Sequence, residues 1–153
     1  MLEDLLANNE EFVRGRSGDL PALPARGLVI LTCMDHRVDP AAALGLELGD
    51  AMVLRNPGGR VTPELIEDLE TLDRVARARG SALAELELVL MQHTDCGANA
   101  LTSTEPEAGV QGDIEALAAA QAIPDSLSVT GLVYDTGTGR LELVERRSPL
   151  RPA

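Results

Sequence analysis

Three short apolar runs, each followed by a cluster of polar residues, constrain most strongly what this chain can fold into. The runs span residues 28–31, 51–54 and 86–91, and only the last of them contains an acidic residue. Short runs without polar alternation are typical of strands in a parallel sheet that is buried on both faces. The sequence therefore predicts an α/β fold built around such a sheet.

Helices and a hairpin are predicted around these strands. A helix between the second and third runs has Thr62 as its N-cap and ends at Gly80. Further along, residues 114–122 predict a short helix, and the runs 127–134 and 140–144 predict a closing β-hairpin. The predicted fold class is α/β: a mostly parallel β-sheet with an antiparallel edge hairpin, flanked by helices and preceded by an N-terminal helical arm.

The N-terminal segment is predicted to be an arm. Residues 2–13 carry apolar side chains near a 3.6-residue period, and residues 15–26 contain two glycines and two prolines, as an extended linker does. A one-sided apolar helix on a linker must bury its face on its own domain or on a partner subunit, which points to a dimer. We expect residues 1–26 to form the arm and linker, 27–146 the α/β domain and 147–153 a C-terminal tail.

Composition narrows the range of partners and locations. The chain has 153 residues, the size of one domain, and carries 13 Lys and Arg against 25 Asp and Glu, for a net charge of −12. Phosphate backbones and anionic membrane surfaces repel such a chain, so we expect neither a nucleic-acid nor a membrane partner. The acidic N-terminus is the opposite of a secretory leader, so we expect a cytoplasmic protein.

The polar clusters that follow the three runs are predicted to meet in space. They span residues 32–37, 55–60 and 92–97, and ligands in open α/β sheets bind at the carboxyl ends of the strands. Arg55 and Arg60 of the second cluster either attract an anion or neutralise carboxylates at a subunit contact. These strand ends are therefore the expected functional site.

Two cysteines and one histidine in these clusters form a candidate metal site. Cys33 follows the first strand, and His93 and Cys96 follow the third. Two thiolates and one imidazole are a ligand set of catalytic zinc sites, which leave one of four tetrahedral positions open. Buried apolar cysteines or a dithiol redox pair are the alternatives, but the sequence lacks the Cys-x-x-Cys spacing that favours a redox pair.

Asp35 and Arg37 are candidate catalytic residues beside that metal. If the chain stays extended after Cys33, residues 33, 35 and 37 share one side of it, and His36 points away. Arg37 would keep Asp35 ionised, so that Asp35 accepts a hydrogen bond from a water on the metal. Alternatively, Asp35 fills the fourth coordination position, or the two residues form only a structural ion pair.

The three segments together resemble those of a known enzyme family. Cys-Met-Asp-His-Arg at 33–37, Arg-Asn-Pro-Gly-Gly at 55–59 and His-Thr-Asp-Cys-Gly at 93–97 are similar to the signature segments of the β-class carbonic anhydrases, in the same order. The resemblance extends from about residue 6 to about residue 144. His36, Pro57 and a shorter stretch after residue 102 depart from the usual pattern of the family.

The resemblance implies an activity and an assembly. It implies that Cys33, His93 and Cys96 bind Zn²⁺ and that Asp35 and Arg37 form the catalytic pair in the reversible hydration of carbon dioxide to bicarbonate. It also implies a homodimer or a multiple of dimers, with the N-terminal arm laid over the neighbouring subunit. Two alternatives remain open: a non-catalytic zinc- or anion-binding module of the same fold, and a related zinc hydrolase of another small heterocumulene such as carbon disulfide.

Overall fold

A computed structural model describes residues 1–16 and 18–152 and contains one five-stranded sheet in the order β2-β1-β3-β4-β5. Strands β1 to β4 are parallel, and β5 pairs antiparallel with β4. The predicted parallel sheet with an antiparallel edge hairpin is therefore confirmed. The strands are β1 (Leu28–Cys33), β2 (Ala51–Asn56), β3 (Glu87–His93), β4 (Ser128–Tyr134) and β5 (Leu141–Arg147).

Five α-helices and two short 3₁₀ turns connect the strands in the described part of the chain. The turns are Pro57–Gly59 and Leu83–Glu85. Among the helices of residues 1–16 and 18–152, none is both long and apolar enough to cross a membrane. The helices are α1 (Leu2–Gly15), α2 (Pro40–Leu44), α3 (Pro63–Ala78), α4 (Gly97–Thr102) and α5 (Pro106–Ala119).

The predicted helix starts are correct where a capping residue marks them. Thr62 caps α3 by accepting a hydrogen bond from the backbone N–H of Leu65 at 3.3 Å. The sequence pattern does not predict α2, which Asp39 caps in the same way, because five residues are too few to show a periodicity. The pattern predicts a helix at 114–122, whereas α5 runs from Pro106 to Ala119. Two glycines in the first half of α5 obscure its apolar stripe.

The sheet carries a larger core on one face than on the other. On the larger side, α3 and α5 pack against alternate residues of β1 and β3, and Leu150 of the predicted tail is buried there too. The smaller core on the opposite face is formed by Ile30, Val38, Val89 and Met91. Ser17 of the predicted linker and Ala153 of the predicted tail lie outside the described residues.

Helix α1 forms as predicted but contributes nothing to either core. None of its residues is buried, although several of its side chains are large and apolar. Edge strand β2, at the other end of the described sheet from β5, also exposes an apolar side chain, Val53. The exposed apolar side chains of α1 are Leu2, Leu5, Leu6, Phe12 and Val13.

Candidate metal centre

The structure brings the two cysteines and the histidine together. Cys33 is the last residue of β1, His93 is the last residue of β3, and Cys96 is the N-cap of α4. Because β1 and β3 are neighbouring parallel strands, their carboxyl ends lie side by side. The three ligand atoms lie within 4.8 Å of one another, and all three residues are buried. The predicted convergence of these strand ends is confirmed.

The histidine ring has one nitrogen left for a cation. Nδ1 of His93 lies 2.8 Å from the carbonyl oxygen of Thr94. Because a carbonyl only accepts hydrogen bonds, Nδ1 carries the proton and Nε2 carries the lone pair. Nε2 is buried, and among the described residues it has no hydrogen-bond partner. A buried acceptor without a partner is costly in a protein interior, and a bound metal ion would remove that cost.

The environment of Cys33 also fits a cation. Burial raises the pKa of its thiol, while backbone N–H groups of Asp35 and Gly58 act in the opposite direction. The Gly58 N–H donates to the Cys33 sulfur at 3.3 Å, and the Cys96 sulfur lies 3.9 Å away. A nearby positive charge favours the thiolate form of a buried cysteine, which is the form that binds a metal. Two sulfurs and one imidazole nitrogen suit a tetrahedral zinc ion with one exchangeable position.

A glycine keeps the loop close to Cys33. Gly59 has a φ of +63°, and a Cβ built there would lie 2.8 Å from the backbone nitrogen of Cys33 and from the carbonyl carbon of Thr32. Only glycine tolerates this conformation and this approach. The Pro-Gly-Gly turn therefore packs directly against the end of β1 and places the Gly58 N–H on the sulfur.

Asp35 and Arg37 form a bidentate ion pair beside the cluster. Arg37 Nε donates to Asp35 Oδ1 at 3.0 Å, and Arg37 Nη2 donates to Oδ2 at 2.8 Å. These hydrogen bonds from Arg37 hold the pKa of Asp35 far below its usual range. The chain does not stay extended here: Val38 N–H bonds to the Asp35 carbonyl in a turn. The backbone turn, and not strand alternation, brings the two side chains together.

Two further residues, Asp95 and Arg55, hold this loop through contacts that the sequence does not predict. Arg37 Nη1 donates to Asp95 Oδ2 at 2.7 Å, so Asp95, between two predicted ligands, also clamps the guanidinium. Arg55 Nη1 donates to the carbonyl oxygens of Cys33 and Val38 at 3.0 and 2.9 Å, and so ties the end of β1 to the loop that follows it. The position of Asp95 next to Cys96 was a usable signal.

His36 stands apart from the cluster, as expected from its position. Its side chain is 94% exposed, and its Nδ1 lies 3.8 Å from Asp35 Oδ1. Arg60, in contrast, binds the buried carboxylate of Asp113, with Nε 2.9 Å from Oδ2. Asp113 is not predicted as a site residue. Arg60, its partner, is 53 positions away in the sequence, and nothing around residue 113 indicates that its carboxylate becomes buried.

A cavity of about 470 Å³ lies beside edge strand β2 and does not include the cluster. Its apolar part is formed by three leucines and Pro57, and its polar part by side chains of β2 and of the start of α3. The leucines are Leu31, Leu54 and Leu65, and the polar residues are Arg55, Asn56, Thr62, Glu64 and Asp68. We call this cavity the edge groove. Since β2 is the end of the sheet in the described chain, the groove lies at an open edge of the molecule.

Comparison with known proteins gives consistent matches. The family model described as carbonic anhydrase matches residues 28–123. Beta-carbonic anhydrase 1 of Mycobacterium tuberculosis is 30% identical over 164 residues, covering 93% of this chain and 96% of that protein. The crystal structure of carbonic anhydrase from Streptococcus mutans superposes with a TM-score of 0.80 at 32% identity, covering 94% of this chain and 97% of that one. A carbon disulfide hydrolase of Saccharolobus solfataricus is 40% identical over 80 residues, 52% of this chain and 36% of that protein.

Proposed function

This chain belongs to the carbonic anhydrase family, and from that membership we propose that it catalyses the zinc-dependent reversible hydration of carbon dioxide to bicarbonate. The observation that carries the proposal is the buried cluster of two sulfurs and one histidine nitrogen. That nitrogen, Nε2 of His93, has no hydrogen-bond partner among the described residues. Cys33, His93 and Cys96 would hold the metal. Zinc bound there supplies Lewis acidity that lowers the pKa of water, and two thiolate ligands weaken that effect relative to three neutral imidazoles.

Asp35 orients the attacking water through one carboxylate oxygen. Oδ1 accepts two hydrogen bonds, from the backbone N–H and from Nε of Arg37. Oδ2 accepts one in the described structure, from Nη2 of Arg37. Each carboxylate oxygen offers about two acceptor sites, so Oδ2 retains one. We assign to Oδ2 the O–H of the reacting water, which directs an oxygen lone pair toward the carbon of carbon dioxide.

Arg37 keeps Asp35 in the form that only accepts hydrogen bonds. The low pKa of Asp35 leaves it ionised throughout the working range of pH. A protonated carboxyl would donate its own proton and turn the water the wrong way. The same bidentate pair holds Asp35 on the guanidinium, which argues against the alternative in which Asp35 fills the fourth metal position of a non-catalytic module.

Carbon dioxide is preferred to carbon disulfide as the substrate because of the extent of the matches. The beta-carbonic anhydrase of M. tuberculosis aligns along 93% of this chain, whereas the carbon disulfide hydrolase aligns along 52% of it. Both substrates need the same nucleophile, so access to the site decides between them. Release of hydrogen sulfide from carbon disulfide at a rate comparable to carbon dioxide hydration would assign the chain to the other activity.

We propose that the protein is a homodimer in which the arm of one subunit covers the other. The apolar side chains of α1 are exposed, and both the edge groove and Val53 offer apolar surface at the open edge of the sheet. An exposed apolar surface of this kind is typical of an interface. We expect light scattering to give the mass of a dimer and a chain lacking residues 1–16 to give that of a monomer. A monomeric full-length chain contradicts this proposal.

The cluster also supports a cytoplasmic location. Cys33 and Cys96 are free thiols with sulfurs 3.9 Å apart. An oxidising compartment would favour a disulfide between them and remove two of the proposed ligands. A reducing cytoplasm keeps both available to a metal.

Metal content and carbon dioxide hydration, measured on one purified sample, test the proposed function. We expect about one zinc per chain and a stopped-flow rate that rises through alkaline pH, because the two thiolates leave the reacting water less acidic than the pKa of about 7 of a three-histidine site. Cys96→Ser should lose most of its zinc and its activity together. Bound zinc without hydration activity supports the non-catalytic module. A hydration rate that does not change with pH contradicts the expected effect of the two thiolates on the pKa of the reacting water.

A further inference from the structure

A buried polar network lies behind the proposed metal ligands. Asp113, on α5, is 2% exposed and receives hydrogen bonds from Arg60 Nε at 2.9 Å and from Gln92 Nε2 at 2.7 Å. Gln92 accepts from Asn99 Nδ2 at 3.3 Å. Arg60 Nη2 also donates to the Gly109 carbonyl at 3.5 Å. The carboxylate thus joins residues of four separate segments of the chain.

The network includes residues of the two segments that carry His93 and Cys96, and it adjoins the turn that contacts Cys33. Gln92 directly precedes His93 on β3, and Asn99 lies in the helix whose N-cap is Cys96. Arg60 follows the turn whose Gly58 N–H donates to the sulfur of Cys33. Helix α5 supplies no ligand to the cluster, yet Asp113 connects it to β3 through Gln92, to α4 through Gln92 and Asn99, and to Arg60 after the Gly58 turn.

Close packing leaves the network little freedom. A Cβ at Gly109 would lie 2.4 Å from Gln92 Oε1, so α5 rests on the Gln92 amide. A Cβ at Gly58 would lie 3.0 Å from Asn99 Oδ1. Neither glycine could carry a larger side chain without a shift of its neighbour. The Gly58 turn therefore packs on Asn99 as well as on Cys33.

Such a network is costly as a source of stability alone. An apolar group of similar size in place of a buried ion pair is often as stable or more so, because the two charges lose their hydration. A fully hydrogen-bonded buried network instead fixes one arrangement of the groups it joins. The arrangement fixed here is that of the end of β3, the start of α4 and the Gly58 turn that contacts Cys33.

We propose that Asp113 is a positioning residue of the metal centre: through Arg60 and Gln92 it holds the Gly58 turn, the end of β3 and the start of α4 in the arrangement that binds the metal. In the described part of the chain the side-chain partners of Asp113 are Arg60 and Gln92, and it acts on the ligands only through them. The inference rests on the proposed function, since it assumes that the cluster binds zinc.

The test compares Asp113→Asn with a matched control in the full-length chain. Asp73 on α3 is also an aspartate bonded to an arginine and to a second donor, with Arg77 Nε at 2.7 Å and the Leu83 N–H at 2.8 Å, but it does not reach the ligand segments. Zinc affinity is measured by competition with a chromophoric chelator. Thiolate-to-cobalt absorption of the Co²⁺-substituted protein and thermal unfolding are measured on the same samples.

We expect Asp113→Asn to weaken zinc binding about tenfold or more and to change the cobalt absorption, since residues that orient ligands contribute this much. Asp73→Asn should lower the melting temperature and leave both metal readouts unchanged. Unchanged zinc affinity and cobalt absorption in Asp113→Asn overturn the proposal, as does an equal loss of affinity in Asp73→Asn.

A milder variant keeps the test decisive if Asp113→Asn does not fold. Arg60→Lys retains the charge but loses the planar guanidinium, so it should weaken zinc binding severalfold in the folded protein. Unchanged affinity in that variant overturns the proposal. If the wild-type chain binds no zinc, both the proposed function and this inference are refuted. If the wild type binds zinc and the variants bind it with the same affinity, only the inference is refuted.

Discussion

Two aspartate–arginine pairs stand near the metal cluster in opposite surroundings. In the first, the Asp35 side chain is 17% exposed and that of Arg37 is 38% exposed; in the second, the corresponding values are 2% for Asp113 and 30% for Arg60. Hydrogen bonds from Arg37 lower the pKa of Asp35, whereas burial raises the pKa of Asp113 against the opposing effect of Arg60. Two pairs of the same residue types therefore differ in exposure and in the direction of the aspartate pKa shift.

The difference lies in which atoms remain available. The outer pair, Asp35 with Arg37, presents a carboxylate oxygen that a water molecule and a small substrate can reach. The inner pair, Asp113 with Arg60, is closed off by Gln92 and α5 and can only hold protein groups. We therefore expect the outer pair to govern turnover and the inner pair to govern stability and metal binding.

The largest expected effect is that of Asp35→Asn on turnover. An amide in place of the carboxylate can donate to the reacting water and loses most of the ion pair with Arg37, so kcat should fall roughly 100-fold or more, as when other catalytic groups are removed. Zinc content should stay at the wild-type level. Stopped-flow hydration and metal analysis check this, and retained turnover would mean that Asp35 is only structural.

Next is the effect of Arg60→Met on stability. It leaves the Asp113 carboxylate buried with Gln92 as its one described side-chain donor. Removing one partner of a buried ion pair lowers the free energy of unfolding by about 3 kcal/mol or more. We expect a loss of about 3 kcal/mol, the lower end of that range, because Arg60 is partly exposed. Arg37→Met should change stability far less, since water solvates the outer pair. Urea unfolding at fixed protein and zinc concentrations measures both, and equal losses would contradict the contrast.

Arg37→Lys is expected to have a smaller effect on activity. Lysine keeps the positive charge but cannot bond both carboxylate oxygens of Asp35 in one plane. Asp35 stays ionised and loses its fixed orientation, so kcat should fall about tenfold with little change in KM. Steady-state kinetics check this split. A rate equal to that of Asp35→Asn would show that Arg37 does more than orient its partner.

The smallest expected effect is a difference in the pH dependence of stability. Because its folded-state pKa is lowered, Asp35 stabilises the wild type over Asp35→Asn above the unfolded pKa of about 3.9, and this advantage is lost as pH falls below that value. Because the folded-state pKa of Asp113 is raised, the stability of the wild type relative to Asp113→Asn should instead increase as pH falls through that pKa. Melting temperatures between about pH 3 and 7 should give difference curves of opposite slope. Slopes of the same sign would contradict the opposite pKa shifts of Asp35 and Asp113.

Local pattern was enough to predict most of the sheet and the three candidate ligands. Continuous apolar runs mark buried strands, and parallel strands gather their carboxyl ends at one edge, so Cys33, His93 and Cys96 could be placed together without knowing any side-chain direction. The pairing of Asp35 with Arg37 was expected for a different reason, strand alternation. Its actual cause is a turn that one hydrogen bond from Val38 closes.

The residues that support the site were harder to foresee because their partners are distant in sequence. Asp113 looks like any acidic residue of a helix until α5 packs on β3. The partner of Asp95 is likewise unmarked in the sequence, since Asp95 accepts a hydrogen bond from Arg37, 58 positions away. Only the packed molecule removes water from the first of these carboxylates and leaves the second in solvent.

By itself the sequence determined the succession of the strands along the chain, helices α1 and α3, the candidate ligand types and their place at strand ends, because apolar periodicity and capping act over a few residues. Tertiary structure alone decided which carboxylate is buried and which meets solvent, because burial depends on the elements that pack against a side chain and not on its neighbours along the chain. Under the proposed function, burial separates Asp113, which would position the metal-binding segments, from Asp35, which would orient the reacting water.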